Sequence, residues 1–205
     1  MRARNPDREG LTDSGGVPIF WEQHGTTGPA VLLVPPWQIV DSRIWKAQVP
    51  YLAHYFRVVT YDRPGNGRSG RLATGFDHDQ AAADALAVLD ATGADRASLV
   101  CFSRGTWQGV LLAARHPERV DRLVLIATAL AEGPRAPGFH DVRAQYRGWE
   151  QFNANFWASD YRAFVEFFFG EMYPEPHSTK QQDDAIGWAM GITPERLAAT
   201  IDEAK

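Results

Sequence analysis

The chain has 205 residues, 44% of them apolar, and its 21 Lys and Arg against 25 Asp and Glu leave a net charge of −4. That length supports one domain with a substantial core, since domains run about 100–200 residues, while a mildly acidic chain with no basic block suits neither nucleic acid nor an anionic membrane surface. The single cysteine, Cys101, excludes an internal disulfide and a cysteine-built zinc site. No apolar run approaches the roughly 18 residues of a membrane span, and the opening MRARNPDREG lacks the apolar stretch of a signal peptide. A soluble, cytoplasmic globular protein is the expectation, with neither nucleic acid nor membrane as partner.

Residues 1–16 are polar and read as a lead-in with at most one edge strand around Gly10–Asp13. Val17–His24 mixes β-branched and aromatic residues and runs into Gly25-Thr-Thr-Gly28, a strand followed by a turn. Ala30–Pro35 is wholly apolar, as expected of a strand buried on both faces of a parallel sheet. Within Trp45–Tyr55, Val49, Leu52 and Tyr55 have helical spacing, and Pro50 places the helix start near itself because proline suits a first turn. Phe56–Tyr61 is the next strand, and the loop Asp62-Arg-Pro-Gly-Asn-Gly-Arg-Ser69 is crowded with turn formers. Asp77–Thr92 forms a helix with Ala82, Leu86 and Leu89 on one stripe, closed by Gly93. A strand over Ala97–Phe102, a helix over Arg104–Arg115 and a strand over Val120–Thr128 follow. Strands alternating with helices of this length imply βαβ units, hence an α/β fold with a mostly parallel sheet and flanking helices.

After Ala129 the pattern changes, and residues 139–205 contain no strand signal. Val142, Tyr146, Trp149, Phe152 and Phe156 step by 4, 3, 3 and 4, the period of an amphipathic helix. Asp160 reads as the N-cap of a second helix through Phe164, Val165 and Phe168, closed by Gly170. Ser178-x-x-Gln181 fits a capping box for a third, and Thr193-Pro194 opens a fourth with Leu197 and Ile201 on its apolar side. The organisation is therefore an α/β body over residues 1–129 with an all-helical appendage over 130–205. The aromatic residues between Tyr146 and Tyr173 exceed what one packing face needs; they either pack the appendage together or line an apolar pocket.

The stretch that carries chemistry is Leu99-Val-Cys-Phe-Ser-Arg-Gly-Thr-Trp107. A buried strand runs into Ser103 and a helix follows at once. A serine on so sharp a turn is lifted clear of the backbone at the carboxyl end of the sheet, with a helix N-terminus behind it that favours negative charge. Small residues two positions to either side let the turn close: Gly105 meets that need fully and Cys101 moderately. A serine before x-Gly also caps ordinary helices, so the order of the surrounding elements decides between the two readings.

That order resembles the α/β-hydrolase fold from about Thr12 to Ala129. Three blocks carry the resemblance: LLVPPWQIVDSRIW (32–45), YDRPGNGRSGR (61–71) and LVCFSRGTWQGVLLAARHPERVDRLVLI (99–126). The resemblance makes the helical stretch a cap and Ser103 the nucleophile, attacking a carbonyl carbon to form an acyl-enzyme that water hydrolyses. It places the oxyanion hole at the N–H of Arg104 and at one N–H of the loop after the 30–35 strand. Relatives show His-Gly in that loop where this chain has Pro35-Pro36; proline cannot donate, so Trp37 is the first available donor. The resemblance also makes Asp62 structural, holding the Gly65–Ser69 turn. His116 and His54 read as surface residues and Cys101 as a small buried side chain.

In this fold the acid and histidine follow the serine, on loops after two later strands. His116, His140 and His177 follow Ser103, but none lies after a later parallel strand. The expectation is the N-terminal part of a longer hydrolase, with the strand at 120–128 an open sheet edge through which the chain self-associates. The function expected is a cofactor-free serine hydrolase acting on a carboxylic ester or similar acyl bond of an apolar small molecule, inactive in this short form. A non-catalytic ligand-binding or regulatory module of the same fold is the alternative. No metal-ligand cluster and no phosphate-binding glycine loop is present in the pattern.

Overall fold

The computed structural model describes residues 4–72, 76–128 and 138–203; the expected boundary at residues 129 and 130 lies outside them. Six strands, β1 (Arg8–Ser14), β2 (Val17–His24), β3 (Ala30–Val34), β4 (Arg57–Tyr61), β5 (Ala97–Phe102) and β6 (Val120–Ile126), form one sheet in the order β1-β2-β4-β3-β5-β6. The β1–β2 and β2–β4 pairs are antiparallel, and β3–β4, β3–β5 and β5–β6 are parallel. The apolar run of β3 divides by its period of two. Ala30, Leu32 and Val34 pack on one face with Val88 and Leu89 of α2 (His78–Thr92) and Leu112 of α3 (Gly105–Arg115), while Val31 and Leu33 meet Trp45 and Val49 on the other. The sheet is thus covered on both faces, as the continuous apolar runs require.

The first helix is shorter than its spacing suggests. A turn of 3-10 helix spans Ser42–Trp45, and α1 covers only Val49–Leu52 with Pro50 in its first turn. Tyr51 and Tyr55 meet at a tilt in solvent, with ring centroids 5.5 Å apart, and do not extend the helical stripe. α2 matches expectation: the Asp77 carboxylate accepts from the Gln80 N–H, and Gly93 closes the helix at φ +68.

The helix expected over Val142–Phe156 does not form. Val142 is 85% exposed. A single 3-10 turn spans Gly148–Gln151, with Gly148 at φ +52. α4 (Ala154–Met172) begins at Asn153, whose side chain caps Asn155 and Phe156 and also donates to the carbonyls of Gly138 and Asp141. A left-handed residue and a cap within six positions outweigh a matching apolar period. Asp160 has the expected capping role in an unexpected setting. It interrupts α4 at φ −149, and its Oδ1 accepts from the Ala163 N–H at 3.0 Å, so two helices run on through one kink. α5 (Thr179–Ala189) forms without the capping box, because the Ser178 hydroxyl donates to Glu175 instead. α6 (Pro194–Asp202) begins at Thr193, whose Oγ1 accepts from Arg196.

These helices build a second core around Trp157, Phe164, Trp188 and Leu197, and that core includes Trp37, Ile39 and Val40 from the loop after β3. Lys46 pairs with Asp184 of α5, and both Arg43 and Lys46 lie over the Trp188 ring, at 5.6 and 5.5 Å. The helical layer is therefore seated on the carboxyl ends of the parallel strands. At the other flank β6 is the last strand of the sheet, and Val124, Leu125 and Ile126 are 47, 36 and 43% exposed, the open edge expected from the sequence.

Backbone approaches backbone closely at Gly105, where a Cβ would stand 2.4 Å from the Pro35 carbonyl oxygen. Backbone cannot yield there as a flexible side chain would, so Gly105→Ala is expected to destabilise the fold by about 1–3 kcal/mol. Gly170→Ala, inside α4 where an added Cβ meets nothing within 4 Å, should be neutral or stabilising by up to about 1 kcal/mol. Urea midpoints of the two variants check the contrast, and equal shifts would contradict it.

Candidate active site

Ser103 follows the last residue of β5 and adopts φ +52, the left-handed region that a side chain other than glycine occupies at a cost. The conformation is held at both ends. The Ser103 N–H donates to the Ile126 carbonyl at 2.9 Å, and the Ser103 carbonyl accepts from the Thr106 N–H at 3.0 Å and its hydroxyl at 2.6 Å. α3 begins two residues on, so its N-terminal dipole points at the turn. Below the turn, Gly109 sits so close to Cys101 that a Cβ there would meet Sγ at 2.3 Å. Cys101 is fully buried, and burial pushes its thiol up to about 12, which leaves a protonated packing residue and no second nucleophile.

The loop after β3 lies against this turn. Arg63 donates to the Pro36 carbonyl at 2.9 Å. The Gln108 amide, turned so that its oxygen faces Arg63, accepts from Nη2 at 2.9 Å and donates to the Tyr61 hydroxyl at 3.0 Å. The Trp37 indole donates to the Thr200 hydroxyl at 2.6 Å, joining the loop to α6. Among the described residues, neither the Trp37 nor the Arg104 main-chain N–H donates a hydrogen bond. Asp62 has the structural role expected of it: its Oδ1 accepts from Ser42 N–H and its Oδ2 from Arg68 N–H, and Ser69 returns its hydroxyl to the Asp62 carbonyl. Burial raises the Asp62 carboxyl above its usual range, and the neighbouring Asp41 adds to the effect.

Ser103, Arg104, Pro36 and Trp37 share one wall of a cavity of about 300 Å³. The other walls are Ile39, Val40, Ile44 and Phe102 from the body and Phe152, Phe168, Phe169, Met172, Tyr173 and Ile201 from the helical layer. The aromatic surplus divides between two tasks: Phe168 and Phe169 face the cavity, while Phe167 packs edge-on against Trp149. Sequence alone named Trp37, Ser103 and Arg104 as site residues and offered the aromatic residues between Tyr146 and Tyr173 as pocket lining; Ile39, Val40 and Ile44 carry no local signal for this role.

No histidine lines the cavity among the described residues. His140 pairs with Asp202 at 2.8 Å on the surface, His177 and His54 are exposed, and His116 ends α3 near Glu118. A further histidine, His78, stacks on Trp107 with ring centroids 5.3 Å apart. Its buried Nδ1 has no partner among the described residues, and burial together with the charges of Arg104 and Arg63 lowers it to about 4. No helix among the described residues is long and apolar enough to cross a membrane, and no group of metal-ligating side chains gathers among them.

A strand-turn-helix serine at the carboxyl edge of a parallel sheet, under a helical layer, defines an α/β-hydrolase type of architecture. A family model described as the alpha/beta hydrolase fold matches residues 23–187, and the chain belongs to that family. It is 38% identical over 137 residues to the 2-hydroxymuconate semialdehyde hydrolase of Pseudomonas sp. (strain CF600), covering 66% of this chain and 45% of that protein. It is 34% identical over 119 residues to the bifunctional esterase/perhydrolase DCH of Acinetobacter calcoaceticus, covering 57% and 43%. The chain thus spans less than half the length of these relatives. The solved esterase from Exiguobacterium antarcticum superposes with a TM-score of 0.76 at 18% identity over 94% of this chain and 72% of that one, a likeness of fold.

The left-handed turn has a measurable cost. Relative to Ser103→Ala, Ser103→Gly is expected to be more stable by about 1 kcal/mol, since only glycine adopts φ +52 without strain. Denaturant unfolding of the two variants measures this, and an alanine variant as stable as the glycine one would show that the turn is unstrained.

Proposed function

We propose that the protein is a serine hydrolase acting on a carboxylic ester or similar acyl bond, with Ser103 as nucleophile. The observation that carries this reading is Ser103 at φ +52 in the wall of an apolar cavity, at the N-terminus of α3. The hydroxyl oxygen attacks the carbonyl carbon, and the leaving alcohol departs with a proton. Water then releases the acid from the acyl-enzyme. The N–H groups of Trp37 and Arg104, which donate to no described residue, form the oxyanion hole, where each donor contributes about 3–4 kcal/mol to the transition state. Ile39, Phe168, Phe169 and Tyr173 enclose an apolar acyl or aryl group. The esterase named among the relatives supports the bond type.

A serine hydroxyl needs a base to react quickly, and no described histidine shares the cavity. In this reading the 205-residue chain is therefore a poor catalyst by itself, while the amides and the helix dipole still favour Ser103 over other serines. The same observation favours a second reading, a ligand-binding module that keeps the cavity without the chemistry. Fluorophosphonate treatment followed by peptide mass spectrometry separates the two. The expected result is slow modification at Ser103 ahead of every other serine and none in Ser103→Ala; a cavity that binds ligand while Ser103 stays unmodified points to the module.

A further inference from the structure

The Arg104 side chain has a situation that its main-chain N–H does not explain. The guanidinium reaches across to α6, where Nη2 donates to the Thr200 carbonyl at 3.1 Å. Trp37, bound to the Thr200 hydroxyl, and Ile201 line the cavity with Arg104, so the charged group is held beside a mostly apolar space. A guanidinium has five N–H donors in a planar fork and accepts nothing. One carbonyl answers one donor and none of the charge.

No carboxylate pairs with Arg104 among the described residues. The charge that acts on it is Arg63, of the same sign, and burial with that neighbour lowers Arg104 to about 10. Arg63 is better provided for: it has the Pro36 carbonyl and the Gln108 oxygen, and the charge of Asp84 acts on it favourably. Arg104 is part-buried, and charges drawn away from water are ordinarily paired because an unanswered one is costly. A cation beside the candidate nucleophile that pairs with no described carboxylate is suited to an anionic ligand.

We propose that the Arg104 guanidinium binds a free carboxylate of the substrate, so that the cavity takes acyl compounds with an apolar body and an acid group. The planar fork matches a carboxylate through two parallel hydrogen bonds. The proposal rests on the hydrolase reading only in taking the cavity at Ser103 as the substrate site. Arg104 is thereby a specificity-determining residue through its side chain.

Isothermal titration calorimetry of the 205-residue chain with 4-phenylbutyrate and with the neutral 4-phenylbutyramide at pH 7 tests this without requiring turnover. The acid is expected to bind at least about tenfold more tightly than the amide, as a charge-assisted hydrogen bond to a desolvated cation implies. Arg104→Met should abolish the preference and Arg104→Lys should keep part of it. Equal affinities, no binding of the acid, or a preference that survives in Arg104→Met would overturn the proposal. If Arg104→Met does not fold, the two wild-type titrations decide alone. A chain that prefers the acid but leaves Ser103 unmodified by fluorophosphonate keeps this proposal and loses the hydrolase reading; modification of Ser103 without a preference does the reverse.

Discussion

The contact between the first turn of α3 and the Pro35 carbonyl organises the rest of the molecule. It brings the end of β5 and the loop after β3 close enough that only a glycine fits at position 105. At the same edge Ser103 adopts its left-handed conformation, and Pro36, Trp37, Ser103 and Arg104 come together in the lining of one cavity. Parallel strands make this possible, because both strands deliver their ends to the same edge of the sheet. The strained turn is supported from outside: the Ile126 carbonyl holds its N–H and Thr106 holds its carbonyl. Strain at one residue persists where neighbours over-determine it.

The helical layer depends on the same loop. Trp37 contributes its ring to the upper core and its indole N–H to Thr200, so the residue whose main-chain N–H faces chemistry in the proposed mechanism also fastens the layer that roofs the cavity. The body and roof are joined again through Lys46, Arg43 and Trp188. The cavity is consequently apolar on nearly all sides, and among the described residues its one charged lining residue is Arg104. Low polarity around a cation strengthens whatever pairs with it, since nearby water no longer competes.

The sheet and its order of elements were readable because the signals are local. An uninterrupted apolar run marks β3, runs rich in β-branched and other apolar residues mark β4 and β5, and turn formers punctuate the chain between them. Ser103 and Gly105 were readable for the same reason: a strand, a serine and a glycine lie within a few residues. The helical layer was harder. The 4, 3, 3, 4 stepping from Val142 to Phe156 is a true period, but Gly148 and Asn153 break the backbone through it. The kink at Asp160 shows the converse, a cap signal correctly placed inside what became one helix. The surroundings of Arg104 were beyond sequence reasoning, because Thr200 lies 96 positions away and only tertiary packing joins them.

The central claim is that the loop after β3 and the start of α3 together form a cradle for a developing oxyanion. A crystal structure of the chain with a phosphonate bound covalently to Ser103 tests it most directly. The account predicts the phosphonyl oxygen at about 2.7–3.1 Å from the main-chain N–H groups of both Trp37 and Arg104, with the organic substituent among Phe168, Phe169 and Tyr173. An adduct whose oxygen lies away from both amides would contradict it.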